Sequence, residues 1–273
     1  MPQTVMVIVA HPDDETFGVG GTMARLADEG HTVTVVCATR GEVGEISDPA
    51  LATPETLGEV REQELRNAMA ELSVDDVRFL DFRDSGMAGT PENEDPASLF
   101  QAEPLEVAMD LTAIMQEVNP DVVITWDASG GYGHPDHIRV HETATEAFGS
   151  YEMRSGRPVR LYYMALPVHL FEEMTAELRA QGIEWGSDDN DEIGDAIQRL
   201  PHPAVTTTID VAAYVDKKQL AMQQHRSQMQ PDSPFDKLSE DLRRRFFGTE
   251  YFHRAIPPWN EGEPEEHTLF EEA

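Results

Sequence analysis

The sequence predicts an α/β fold: a Rossmann-like, mostly parallel sheet with helices on both faces and a smaller C-terminal cap. Three observations predict it. Short apolar runs of strand length alternate with amphipathic helical stripes. Polar motifs follow two of those runs, and 273 residues are ample for one large core.

The first run, TVMVIVA at 4–10, ends directly at His11-Pro12-Asp13-Asp14-Glu15. From Thr16 to Glu29 the residues Phe17, Met23, Leu26 and Ala27 keep helical spacing, and Gly30 closes the segment. A second β run follows at 32–38 (TVTVVCA). Residues 59–72 place Val60, Leu65, Ala68, Met69 and Leu72 on one helical stripe. Next come a strand at 77–82, a helix near 104–118, a strand at 121–126 (DVVITW), a helix over about 138–148 and a strand at 159–166. Such alternation implies βαβ connections and a sheet covered on both faces. The last third is less regular: a helix near 168–181, an acidic stretch at 182–195, a short strand at 205–209, a helix near 211–227 and a Pro-containing loop at 230–235. The expected layout is a Rossmann-like catalytic core over 1–166, a cap continuous with it over 167–260, and an acidic, frayed tail over 261–273 with six Glu in 13 positions.

Composition narrows the functional classes. Asp and Glu number 52 against 20 Lys and Arg, a formal charge of −32, which makes nucleic acid and anionic membranes poor partners. Apolar residues make up 40%, too many for a disordered acidic chain, and no apolar run approaches the roughly 20 residues that span a bilayer. The N-terminus lacks a basic stretch before its apolar run and is not expected to be a signal peptide. A single cysteine, Cys37, excludes internal disulfides and a Cys-rich zinc site and suits a reducing cytoplasm. Only three lysines occur, Lys217, Lys218 and Lys237. Acidic excess with few lysines resembles cytosolic proteins of organisms that accumulate molar salt, where the Debye length falls to about 3 Å.

In an open parallel sheet, ligands bind beyond the carboxyl ends of the strands. Two polar clusters sit at such ends: His11-Pro-Asp13-Asp14-Glu15 after the first strand, and Gly130-Gly131-Tyr132-Gly133-His134-Pro135-Asp136-His137 past 121–126. Together they supply enough nitrogen and oxygen donors for a zinc site with an open position. Either cluster alone reads equally well as a turn with an acidic helix start; their paired occurrence favours a site. Gly18-Val19-Gly20-Gly21 lies inside a helical pattern and lacks dinucleotide-binding spacing, so an oxidoreductase is a distant reading.

AHPDDE at 10–15 and GHPDH at 133–137 resemble the two signature motifs of the PIG-L/LmbE-like zinc-dependent N-acetylglucosaminyl deacetylases. The resemblance covers residues 4–150 well and extends to GEVGE at 41–45, REQEL at 61–65 and DSGMAGT at 84–90. This last string, with GGYGHPDH, is similar to the mycothiol-pathway branch: the deacetylase of an N-acetylglucosaminyl-inositol and the related thiol-conjugate amidase.

The resemblance implies a Rossmann-like fold and one Zn2+ per chain, held by His11, Asp14 and His137 with water in the fourth position. It implies Asp13 as general base, His134 as a protonated group that stabilises the oxyanion or protonates the leaving amine, and Tyr132 as a further donor. Asp136 would hold the His134 imidazole and raise its pKa. Arg61, Asp84, Met87 and Glu45 fall on strings that surround the sugar. Arg61 reads equally as a surface ion pair and Asp84 as a turn residue. Glu15 reads as a helix cap or a support for a ligand, His141 as a support for a ligand or as structural, and His225, in HRSQ at 225–228, as structural or at the rim. The reading is a cytoplasmic hydrolase that releases acetate from an N-acetylglucosamine-containing small molecule, with homo-oligomer formation left open. A thiol-conjugate amidase and a sugar-binding module without turnover are the alternatives; a binding module has little need for a general base beside an open metal position.

Overall fold

Seven strands form one sheet in the computed structural model, which describes residues 1–183, 197, 199–229 and 234–271. β1 (Thr4–Val9), β2 (Thr32–Thr39), β3 (Asp76–Phe82), β4 (Val122–Thr125) and β5 (Arg160–Met164) are parallel and ordered β3-β2-β1-β4-β5. β6 (Thr207–Asp210) and β7 (Thr249–Ile256) complete the sheet, with β7 antiparallel to both β5 and β6. The order reverses between β1 and β4, and that switch point is where both polar clusters emerge. The central strands are buried, as an apolar run covered on both faces requires.

Helices α1 (Asp14–Asp28), α2 (Leu57–Glu71), α3 (Pro104–Val118), α4 (Pro135–Ser155), α5 (Val168–Ala180), α6 (Val215–Met222) and α7 (Glu240–Gly248) cover it. α6 lies against α1 and α2, while α3 packs on α4. None of the helices among the described residues is long and apolar enough to cross a membrane. α4 is longer than the predicted 138–148. His134 caps its start by accepting the Asp136 amide, Pro135 occupies the first turn, and Gly156 in left-handed geometry ends it. The predicted helix near 211–227 is a 3-10 turn at Ala212–Tyr214 followed by the short α6.

Two elements have no counterpart in the sequence reading, α7 and β7. The inward positions of β7 alternate Glu250, Phe252 and Arg254, so charge hides its two-residue period. Each inward charge has a partner. Glu250 accepts the amides of Gly21 and Thr22 and the ammonium of Lys218, at 2.8, 2.7 and 2.7 Å. A Cβ on Gly21 would stand 2.6 Å from Val211, so a glycine is needed where α1 meets this region. Arg254 pairs with Glu263 and Glu266.

These pairs overturn the expectation of a frayed tail. Glu266 bridges to Thr207 and accepts from Arg160 and Tyr162 at 3.2 and 3.1 Å. Leu269 is buried and Phe270 packs on His31. Acidic residues dock there because β5 and β7 present Arg160 and Arg254 to them. Residues 184–195 of the acidic stretch and 230–233 of the Pro-containing loop lie outside the described residues.

Candidate metal centre

His11 leaves the end of β1, and α1 begins at Asp14. Asp13 between them has φ 110° and ψ −33°, a conformation that costs a non-glycine residue on the order of 1–3 kcal/mol. This kink places consecutive carboxylates on different sides, with Asp14 turned back to accept the amides of Ala10 and His11 at 3.1 and 2.9 Å. His137 sits in the first turn of α4. Gly130 and Gly131 both have positive φ in the loop before it, and a Cβ on Gly130 would stand 2.7 Å from the His137 Cβ. Trp126 stacks on the His137 ring at 4.1 Å.

Three polar atoms converge. His137 Nε2 stands 3.2 Å from His11 Nδ1 and 3.4 Å from Asp14 Oδ1. The opposite ring edges decide what these atoms carry. His137 Nδ1 lies 3.0 Å from the Gly130 carbonyl and so donates its proton there, leaving Nε2 with a lone pair. His11 Nε2 lies 3.2 Å from Asp136 and 3.5 Å from Asp84 and donates to those carboxylates, leaving Nδ1 with a lone pair. Two imidazole nitrogens and a carboxylate oxygen therefore face one another in a buried space, an arrangement that a cation between them would satisfy. Burial would lower the pKa of His11, but Asp84, Asp136 and Asp14 raise it well above the usual imidazole range, the same demand for positive charge. Asp14 is held far below the usual carboxylate range by His137 and His11, against burial. The donor set of two imidazoles and a carboxylate fits a zinc-type metal.

His134 belongs to the same cluster, its ring centroid 4.5 Å from that of His11, and His11, His134 and His137 can also converge as a donor trio. Its Nδ1, however, accepts the Asp136 amide at 3.1 Å, so the neutral ring carries its proton on Nε2 and offers the site a donor. Burial, then the charges of His11 and His137, push its pKa down to about 2. The expected support of His134 by the Asp136 carboxylate is not what the structure shows. That carboxylate instead accepts from His11 and from the Ser85 amide and hydroxyl, and it orients a different imidazole. Ser85 went unnoticed in the sequence, its only signal being the DSGMAGT string.

Arg61 is buried, with its guanidinium on the Gly41 and Pro12 carbonyls at 2.9 and 2.6 Å and on Asp13 at 3.2 Å. It clamps Asp13, and is not the surface ion pair that the sequence allowed. The Asp13 side chain is 39% exposed at the mouth of the cluster. Desolvation, Asp14 and Glu15 push its pKa above the usual carboxylate range, against Arg61 and His225. Glu15 is fully buried, accepting the Asp13 amide and facing His225. Asp84 faces His11 and accepts the Val43 and Gly86 amides. Tyr132 is half-buried, edge-on to His137 at 5.0 Å. Met87 is half-buried and Glu45 exposed; among the described hydrogen bonds and ion pairs none links their side chains to the cluster. His141 is structural, bonded to the Trp126 carbonyl.

Residues 6–148 match the family model described as PIG-L, GlcNAc-PI de-N-acetylase. The chain belongs to the PIG-L family. A 1D-myo-inositol 2-acetamido-2-deoxy-alpha-D-glucopyranoside deacetylase from Acidothermus cellulolyticus is 40% identical over 261 residues, 92% of this chain and 88% of the relative. Among solved structures, an N,N'-diacetylchitobiose deacetylase from Pyrococcus horikoshii superposes with a TM-score of 0.61 at 24% identity, over 92% of this chain and 83% of its own. A 4-carboxy-2-hydroxymuconate hydratase from Pseudomonas putida KT2440 superposes with a TM-score of 0.57 at 18% identity, over 96% and 99%. The fold of the family thus hosts more than one reaction, and the chemistry must be argued from the site.

Proposed function

We propose that this protein is a metal-dependent deacetylase that removes the acetyl group from an N-acetylglucosamine-containing small molecule, with an N-acetylglucosaminyl-inositol as the first substrate to try. The observation that carries the reading is the convergence of His11 Nδ1, His137 Nε2 and Asp14 Oδ1 beside a carboxylate, Asp13, that is free of that convergence. The kinship at 40% identity with a deacetylase of that glycoside supports the substrate class.

His11, Asp14 and His137 would hold the metal, with zinc the ion best matched to two imidazoles and one carboxylate. When bound, the metal supplies Lewis acidity that polarises an amide carbonyl and acidifies a water. Asp13, whose pKa burial raises above the usual carboxylate range, takes a proton from the attacking water and passes it to the amide nitrogen as the C–N bond breaks. His134, neutral with its proton on Nε2, donates a hydrogen bond to the carbonyl oxygen as that oxygen becomes anionic. The Tyr132 hydroxyl, on the ring that lies edge-on to His137, would be a second donor.

We place the enzyme in a salt-rich cytoplasm. Lys218 is buried against Glu250, so the surface lysines reduce to Lys217 and Lys237. The testing experiment measures acetate and free amine released from N-acetylglucosamine, its oligomers, its inositol glycoside and thiol conjugates, each in dilute and in molar salt. Turnover of an N-acetylglucosaminide supports the reading, and cleavage of the thiol conjugates alone would replace it by the amidase. A zinc-loaded protein that turns over none of them would overturn it. Rates highest in dilute buffer would remove the habitat and leave the chemistry standing.

A further inference from the structure

The HRSQ string at 225–228 follows α6 and contributes no donor to the metal cluster, yet its bonds run to both sides of the site. His225 Nε2 stands 2.9 Å from Glu15 Oε1, and the other Glu15 oxygen accepts the Asp13 amide at 2.9 Å. Both His225 and Glu15 are buried, at 1% and 0% side-chain exposure. The Nδ1 edge of His225 has no partner among the described residues, so the ring acts through Nε2 alone. The same string also holds the loop at 41–48. Ser47 donates to the Ser227 and Arg226 carbonyls, each at 2.8 Å, and Gln228 donates to the Glu45 carbonyl at 2.9 Å. Ser227 itself is tied to Glu64 of α2 through its amide and hydroxyl, at 2.8 and 2.7 Å. That loop walls the site, because Val43 donates to Asp84 and Gly41 accepts from Arg61.

We infer that His225 is a positioning residue for the deacetylation, acting through Glu15 to hold the strained Asp13 backbone in the conformation that aims its carboxylate, while Ser227 and Gln228 hold the facing loop. The physical reason lies in Asp13 itself. A non-glycine residue at φ 110° persists only when its surroundings over-determine it. The Asp13 amide is fixed by Glu15, and the bond from His225 meets the other oxygen of that carboxylate. Without His225, Glu15 is a buried carboxylate short of a donor, free to swing and to release the amide. The metal donors do not depend on this chain of contacts, since Asp14 is fixed by the Ala10 and His11 amides. Loss of His225 therefore misaims the base and leaves the metal in place.

The inference rests on the deacetylase reading, and its test separates the two. A glutamine side chain can put an amide nitrogen where His225 Nε2 stands, whereas asparagine can reach only the Nδ1 position. His225→Gln is expected to keep kcat within a few-fold of wild type. His225→Asn is expected to lose about 10–100-fold in kcat, with KM unchanged within about twofold and zinc still at one per chain. Gln228→Ala, on the other arm, is expected to raise KM by about 3–10-fold with little change in kcat. A merely structural role for His225 would lower thermal stability in both His225 variants without separating them in kcat. Equal kcat for Gln and Asn, or a loss in His225→Asn matched by loss of zinc, would overturn the inference. A silent wild type would instead defeat the deacetylase reading.

Discussion

The two ends of the sheet handle charge in opposite ways. At the amino ends of the strands, a cavity of about 480 Å3 is lined by Asp121, Arg157 and Arg160 among others. There the cations meet their partners within the protein. Arg157 pairs with Asp121, and Arg160 with Glu266 and the Tyr162 hydroxyl. At the carboxyl ends, His11 faces Asp14, Asp84 and Asp136, two imidazole nitrogens stand 3.2 Å apart, and a neighbouring aspartate sits in a strained conformation. In charge pairing the first end is complete; the second would be completed by an added cation. A cavity whose charges are paired is architecture, and a tight cluster with unmet charges is a site.

Breaking the incomplete end should cost most. Asp13→Asn removes the base and leaves the metal donors, so kcat should fall by about 10²–10⁴-fold with metal content unchanged. Activity within tenfold of wild type would move the base elsewhere. Asp136→Asn weakens the support of His11 and should reduce metal affinity by about 10–100-fold, read by competition with a chelator. An unchanged affinity would mean that Asp136 serves the Ser85 loop alone.

Arg61→Gln sharpens the comparison through pH. The Arg61 cation favours ionised Asp13 and so holds its pKa down. Without it the Asp13 pKa rises further, and the acid limb of kcat/KM should move to higher pH. A limb that stays or moves to lower pH would contradict the clamp. The smallest effect is expected at the complete end. Arg160→Ala should cost on the order of 1 kcal/mol of stability by denaturant unfolding and leave kcat unchanged.

The sequence made the donors legible because each cluster is contiguous and follows a strand, so chain order alone carries His11, Asp13 and Asp14 to one place and His134 and His137 to another. It left their orientation unread. Which carboxylate faces which imidazole depends on the positive φ of Asp13 and on the Gly130 carbonyl, features of the backbone and not of residue type. Asp136 was legible as a site residue but assigned to the wrong ring, because its backbone amide meets His134 while its carboxylate turns to His11. His225 lies 210 residues from Glu15, a separation that no local pattern bridges. The parallel core was readable from apolar runs, whereas β7 and the docked tail depend on buried ion pairs that look like surface in a sequence.

The central claim is that His11, Asp14 and His137 hold the metal while His134 stands beside it as a donor. Metal stoichiometry by elemental analysis, on wild type, His137→Ala and His134→Ala purified alike, tests it most directly. The account predicts one zinc per chain in wild type and in His134→Ala, and close to none in His137→Ala. Metal retained in His137→Ala, or lost equally in His134→Ala, would contradict it.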